Sequence, residues 1–176
     1  MPETPIFGYR YPASTDPPNG PAQLQALAED VEAGGVRFAN YTCGQAAKFP
    51  TGSWGLIPFE FVMDTTPAVT RSDSNRRFTF TVGGVWRIDA GCRVAKGGTG
   101  QTQFFAILAA GSTTTRYAES ASYQSGSGGS YVATRTRRFE SGQAINIGTY
   151  RTGSGDYEIA TDVAQTTFVS MTWIRP

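Results

Sequence analysis

The chain has no histidine and only two cysteines, Cys43 and Cys92, among its 176 residues. Without histidine it lacks the commonest general base, the commonest metal ligand and the usual partner of a serine or cysteine nucleophile. Two isolated cysteines cannot complete a structural zinc site, and no Cys-x-x-Cys pair exists for redox work. Neither sign of charge is in excess: 15 Lys+Arg against 14 Asp+Glu leave a formal net charge of +1. Nothing therefore draws the whole molecule to nucleic acid or to an anionic membrane. The longest uncharged, mainly apolar run is Phe104–Gly111, far short of the ~20 residues of a membrane helix. Met1-Pro2-Glu3-Thr4-Pro5 has neither the basic nor the apolar region of a signal peptide. The expectation is a product made in the cytoplasm that reaches the outside only as part of a particle.

What the chain does have is glycine (21), proline (10) and aromatic residues (11 Phe, 8 Tyr, 3 Trp). That mixture favours many short strands joined by turns. The length suits a single core that needs no disulfide or metal to hold it.

Two parts are expected. Residues 1–35 read as an arm plus a short helix, and residues 36–176 as a β head. Pro2, Pro5, Pro12, Pro17 and Pro18 forbid a regular helix at the start, while Phe7, Tyr9 and Tyr11 alternate and make one side of the arm aromatic. Residues 21–33 form the one convincing helix. Pro21 suits its first turn, Leu24, Leu27, Ala28 and Val31 make one apolar stripe, and Gly34-Gly35 stops it. So short a helix is marginal alone, and its stripe must dock on another surface.

From about Val36 the period becomes two. Trp86, Ile88, Ala90, Cys92 and Val94 point one way, and Arg87, Asp89, Gly91 and Arg93 the other. Phe78, Phe80 and Val82 precede this strand across Gly83-Gly84, which reads as a hairpin turn. Further strands are expected at Leu56–Met63, Gln103–Ala110, Tyr131–Phe139, Ala144–Tyr150, Tyr157–Thr161 and Thr166–Ile174. This spacing predicts an antiparallel sandwich or jelly roll. Phe104/Phe105 beside Ile107/Leu108, and Phe168/Val169 beside Met171/Trp173, are apolar on both faces. A free sandwich should be polar outside, so Phe104, Phe105, Phe168 and Trp173 are candidates for a subunit interface or the core.

The stretch Phe78-Thr-Phe-Thr-Val-Gly-Gly-Val-Trp-Arg-Ile-Asp-Ala-Gly91 resembles the second core strand pair of the complement-q and tumour-necrosis-factor-like jelly rolls. The later order is also similar, with Ser141-Gly142-Gln143 standing where that family has a Gly-Asp turn before an aliphatic strand. The resemblance covers roughly residues 40–176. It implies a ten-stranded jelly roll that forms a homotrimer. It also implies that Cys43 and Cys92 lie on strands separated by another strand of the same sheet. Two spacings of ~4.8 Å exceed disulfide reach, so two free thiols are expected.

A second resemblance lies in Tyr9-Arg10-Tyr11-Pro12, Thr15-Asp16-Pro17-Pro18-Asn19-Gly20 and Gln23-Leu24-Gln25-Ala26-Leu27-Ala28-Glu29. This is similar to the leader of many tailed-phage minor structural proteins, in which a Pro-rich segment and a short helix precede a variable β head. Together the two resemblances imply a virion surface protein. Phe7, Tyr9, Tyr11, Leu24, Leu27 and Val31 would then anchor it to other virion proteins.

Catalysis is not expected. Glycan hydrolysis would need paired carboxylates, for which Asp156/Glu158 and Glu60/Asp64 are the candidates. Asp156 and Asp162 are too few oxygens for a calcium loop. Arg71, Arg76 and Arg77 form one basic cluster, and Arg135, Arg137 and Arg138 another, the second a candidate contact for a polyanion such as host-surface polysaccharide. Tyr117, Tyr123, Tyr131 and Tyr150 are candidates for stacking on sugars. No cofactor is implied. The rival reading is a free lectin-like or cytokine-like trimer.

Overall fold

The structure, a computed structural model, describes residues 20–33, 35, 37–94, 101–124, 128–159 and 167–176. Phe7, Tyr9, Tyr11 and Asp162 lie outside the described residues. The chain divides into two compact units, Met1–Val36 with Arg175–Pro176, and Arg37–Ile174. In the first, helix α1 spans Gly20–Ala33. Its side chains Leu24, Leu27 and Val31 are exposed among the described residues.

The second unit is a sandwich of two antiparallel sheets. Its strands are β1 (Phe38–Thr42), β2 (Ala47–Pro50), β3 (Gly55–Leu56), β4 (Phe61–Thr65), β5 (Val69–Ser72), β6 (Arg77–Phe80) and β7 (Gly84–Val94). They continue with β8 (Gln101–Ala109), β9 (Arg116–Gln124), β10 (Gly129–Phe139), β11 (Ala144–Arg151), β12 (Asp156–Ile159) and β13 (Phe168–Arg175). The first sheet runs β2-β12-β7-β13-β1-β4, with β10 also paired to β7; the second runs β5-β6-β11-β8-β9, with β3 also paired to β11. Sequence neighbours thus repeatedly lie in opposite sheets, which is jelly-roll connectivity.

The clearest strand in the sequence is also the clearest in the structure. Trp86, Ile88, Ala90, Cys92 and Val94 on β7 are all buried, with Arg87 exposed between them. Phe80 fastens the two sheets together. It belongs to the second sheet, yet its ring centroid stands 4.9 Å from that of Trp86 and 4.4 Å from that of Phe139, both in the first. The Trp86 indole donates to the Val82 carbonyl at 3.2 Å, so the buried N–H is satisfied.

Two expectations require correction. Gly83-Gly84 is not a hairpin turn, because β6 pairs with β5 and β11 whereas β7 pairs with β10, β12 and β13. The chain crosses between sheets there; glycine permits the sharp bend, but it does not decide which strand pairs with which. Leu56–Met63 is not one strand. Pro58 has no N–H for a ladder, and the segment between β3 and β4 instead sends Ile57 and Phe59 into the core. Its carbonyls are held by arginines: Arg76 Nε donates to Leu56 O at 3.1 Å, and Arg71 Nη1 donates to Phe59 O and to Glu60 O. The first basic cluster is therefore largely committed to backbone. Arg77 is also paired, at 3.8 Å from Asp73.

Candidate functional site

Strand alternation gives the first sheet an outward face whose composition is uneven. In the register of β1 with β13, Thr42 stands opposite Phe168, Asn40 opposite Ser170 and Phe38 opposite Thr172. In the register of β10 with β7, Val132 stands opposite Gly91 and Thr134 opposite Asp89. Phe168 lies across Gly91: a Cβ there would come within 2.6 Å of the Phe168 ring. An apolar row therefore crosses the sheet through Phe168, Gly91 and Val132. On the far side β4 exposes Phe61, Val62 and Met63, at 57%, 49% and 53%. Val132 is 60% exposed and Ile174 45%. A cleft of about 350 Å³ opens along this face, lined by residues of β1, β4 and β13 that include Asn40, Met63, Phe168 and Ser170.

Beside that row the face is polar and ordered. Arg87 binds Asp89 through both carboxylate oxygens, at 2.8 and 3.2 Å, and Thr134 donates to the same carboxylate at 2.9 Å. A face that is apolar in one band and internally paired in the next suits burial against a partner, because few polar groups there would be stripped of partners.

The fold is TNF-like. The solved structures it resembles include murine APRIL at pH 5.0 (TM-score 0.63, 6% identity, 80% of this chain and 100% of that one). Murine APRIL at pH 8.5 gives a TM-score of 0.56 at 8% identity, over 80% of this chain and 100% of that one. The Eiger TNF from S. frugiperda gives 0.54 at 8% identity, over 79% of this chain and 92% of that one. No protein-family model matches the sequence, and no curated protein matches it. At such identities the likeness concerns the fold alone.

The four aromatic interface-or-core candidates separate. Phe105 is fully buried in the core. Trp173 packs against the core, its indole donating to Gly83 O at 3.2 Å and its ring covered by Arg37 at 4.8 Å. Phe168 is half-buried on the outward face of the first sheet. Phe104 is on the outer side of the second sheet, where the second apolar side of β8 finds its cover within the chain. Trp54, from the β2–β3 loop, folds over it. A Cβ at Gly148 would stand 2.8 Å from Leu108 and 3.2 Å from Trp54, so only glycine lets these groups meet there.

The second arginine cluster divides as well. Arg135 and Arg137 register with Ile88 and Trp86, on the sandwich side of the edge strand β10, whereas Arg138 registers with Val85 on the other side. Arg137 stacks on Tyr117 at 4.4 Å. Of the tyrosines weighed for sugar stacking, Tyr131 is buried, Tyr117 packs edge-on against Phe139 at 5.5 Å, Tyr150 is half-buried and Tyr123 is 68% exposed. The carboxylates considered for hydrolysis have other occupations or none. Glu60 accepts from Gly44 N at 2.9 Å, Asp64 is exposed on β4, and Asp156 and Glu158 lie on β12 against β2. Among the described residues no cluster of three or more His, Cys, Asp or Glu could hold a metal.

Both cysteines are buried and free, and β13 lies between β1, which Cys43 follows, and β7, which carries Cys92. Burial, opposed by a backbone hydrogen bond from Gln45 and helped by the charge of Glu60, pushes the Cys43 thiol up to about 11. Cys92 is pushed up further, chiefly by burial. Both thiols should resist a disulfide reagent near pH 8 in the native protein, and two should titrate after unfolding without reductant. Finding none after unfolding would contradict the arrangement. A thiol raised on folding stabilises fully below its unfolded value near 9, so this contribution is lost as pH climbs through the range 9 to 11.

Proposed function

We propose that this chain is a non-enzymatic structural protein of a bacteriophage virion: a homotrimeric surface knob with a TNF-like head, fixed to the particle by its N-terminal part and able to touch the host surface. The observation that carries it is the outward face of the first sheet, where Phe168, Val132 and Met63 are offered together on a rigid scaffold. Exposed apolar groups grouped in this way mark an interaction surface. The TNF-like architecture favours another copy of the chain as the partner. Assembly proceeds by burial alone, with no covalent step, and three equivalent outer surfaces would add weak contacts to a repetitive polymer.

The virion assignment rests on the leader-like pattern around Tyr9-Arg10-Tyr11-Pro12 and on α1, whose exposed Leu24, Leu27 and Val31 are suited to docking on other virion proteins. Capsid decoration or head fibre and minor tail protein remain two versions of this role. The TNF-like neighbours equally suit a free cytokine-like trimer. Quantitative proteomics on gradient-purified particles from cells that make the protein separates these readings. Many copies per particle indicate capsid decoration, and few indicate a tail position. Protein found only in the unbound fraction would contradict the virion role and favour the free trimer.

A further inference from the structure

The outer face of the second sheet carries a pocket that the assembly surface does not use. It measures about 310 Å³ and is lined by Trp54, Phe104, Arg116 and Tyr150. The Trp54 and Tyr150 ring centroids are 5.7 Å apart, and those of Phe104 and Tyr150 5.8 Å. Trp54, Phe104 and Tyr150 are all half-exposed rather than sealed into the core. Arg116 lies 5.3 Å over the Trp54 ring and is ion-paired with Glu119 at 2.6 Å, which fixes a donor and an acceptor at the rim. Tyr123 stands two residues beyond Ala121, the partner of Phe104, and so lies on the same face.

Each chemical element selects among ligands. Half-exposed aromatic rings offer an apolar surface to a flat ligand. A guanidinium beside a carboxylate offers both hydrogen-bond polarities to hydroxyl groups. Among the described residues, charge on this face is paired, Arg116 with Glu119 and Arg77 with Asp73, which favours a neutral ligand over phosphates or sulfates. A sugar ring has a C–H face and a rim of hydroxyls, and it meets all three conditions.

We propose that this pocket binds a neutral saccharide, with one pyranose ring stacked on Trp54 and Tyr150, its hydroxyls on Arg116 and Glu119, and a further ring of the same chain on Tyr123. This deepens the host-surface part of the proposed function and does not depend on trimerisation.

The test titrates the full-length protein with neutral hexasaccharides of β-1,4-glucose, α-1,4-glucose, β-1,4-mannose, β-1,4-galactose and β-1,4-N-acetylglucosamine, with a sulfated hexasaccharide as the contrast. Saturation-transfer NMR reads binding. Tryptophan fluorescence reports on Trp54, because Trp86 is fully buried and Trp173 is packed against the core. The expected result is saturable binding of at least one neutral probe with a Kd on the order of 1 mM or tighter. Trp54→Ala should then weaken it by about tenfold or more, and Arg116→Gln by about threefold. Tyr123→Ala should weaken the hexasaccharide and leave the matching disaccharide unchanged. If Trp54→Ala unfolds, the two exposed positions decide. Binding of the sulfated probe alone, no saturable binding by any neutral probe up to about 10 mM, or full binding by Arg116→Gln and Tyr123→Ala would overturn the proposal. Solution mass measured on the same samples keeps this outcome separate from that of the trimer.

Discussion

Val132→Asp should leave the fold intact and dissociate the proposed trimer into monomers. Val132 is 60% exposed in the single chain, so a carboxylate there meets water and costs the fold little. The side chain lies in the apolar row beside Gly91 and Phe168, which the proposed trimer would bury. Three carboxylates would then be buried around one axis, without partners and repelling one another. Stripping a charge of water costs several kcal/mol per ion, more than a typical interfacial side chain contributes. Circular dichroism should remain native while the mass falls to that of one chain. A Val132→Asp protein that remains trimeric would remove this face from the interface.

The second large effect concerns the sandwich itself. Phe80→Ala should destabilise it by about 3–5 kcal/mol, a large part of the ~5–15 kcal/mol that holds a domain of this kind together. Phe80 contributes from the second sheet to a stack completed by Trp86 and Phe139 of the first. Its removal therefore leaves a cavity between layers that neither sheet can close alone. Urea titration at fixed protein concentration measures the loss, since association would otherwise shift the midpoint. A loss below about 1 kcal/mol would mean that the layers do not meet at this residue.

Much of the fold could be read from the chain because its strands carry their own periodicity. The alternation of β7 identified Trp86, Ile88, Ala90, Cys92 and Val94 as one buried face, and each is buried. The jelly-roll likeness placed a strand between those of Cys43 and Cys92, and β13 occupies that place. What local pattern does not contain is pairing. Gly83-Gly84 has the chemistry of a hairpin turn, yet the chain crosses there to the other sheet. Pro58 was visible inside a strand-like run, and its missing donor was the signal that Leu56–Met63 could not be continuous.

The surfaces were harder to read, because their composition depends on residues distant in sequence. The apolar outer side of β8 suggested a subunit contact, but Trp54, some fifty residues earlier, covers Leu108 and stands beside Tyr150. No spacing rule links those positions. The three arginines near the end of β10 lie within four residues of one another, but strand alternation puts Arg138 on the opposite side from Arg135 and Arg137. Conversely, the row through Thr42, Phe168, Gly91 and Val132 is drawn from four strands and becomes visible only once they are in register.

The most direct test of the account is the solution mass of the full-length protein, by light scattering and native mass spectrometry over a range of concentrations. The account predicts a single species at three times the 18.9 kDa of one chain. A monomer throughout that range would leave the apolar face of the first sheet without its partner and would contradict the central claim.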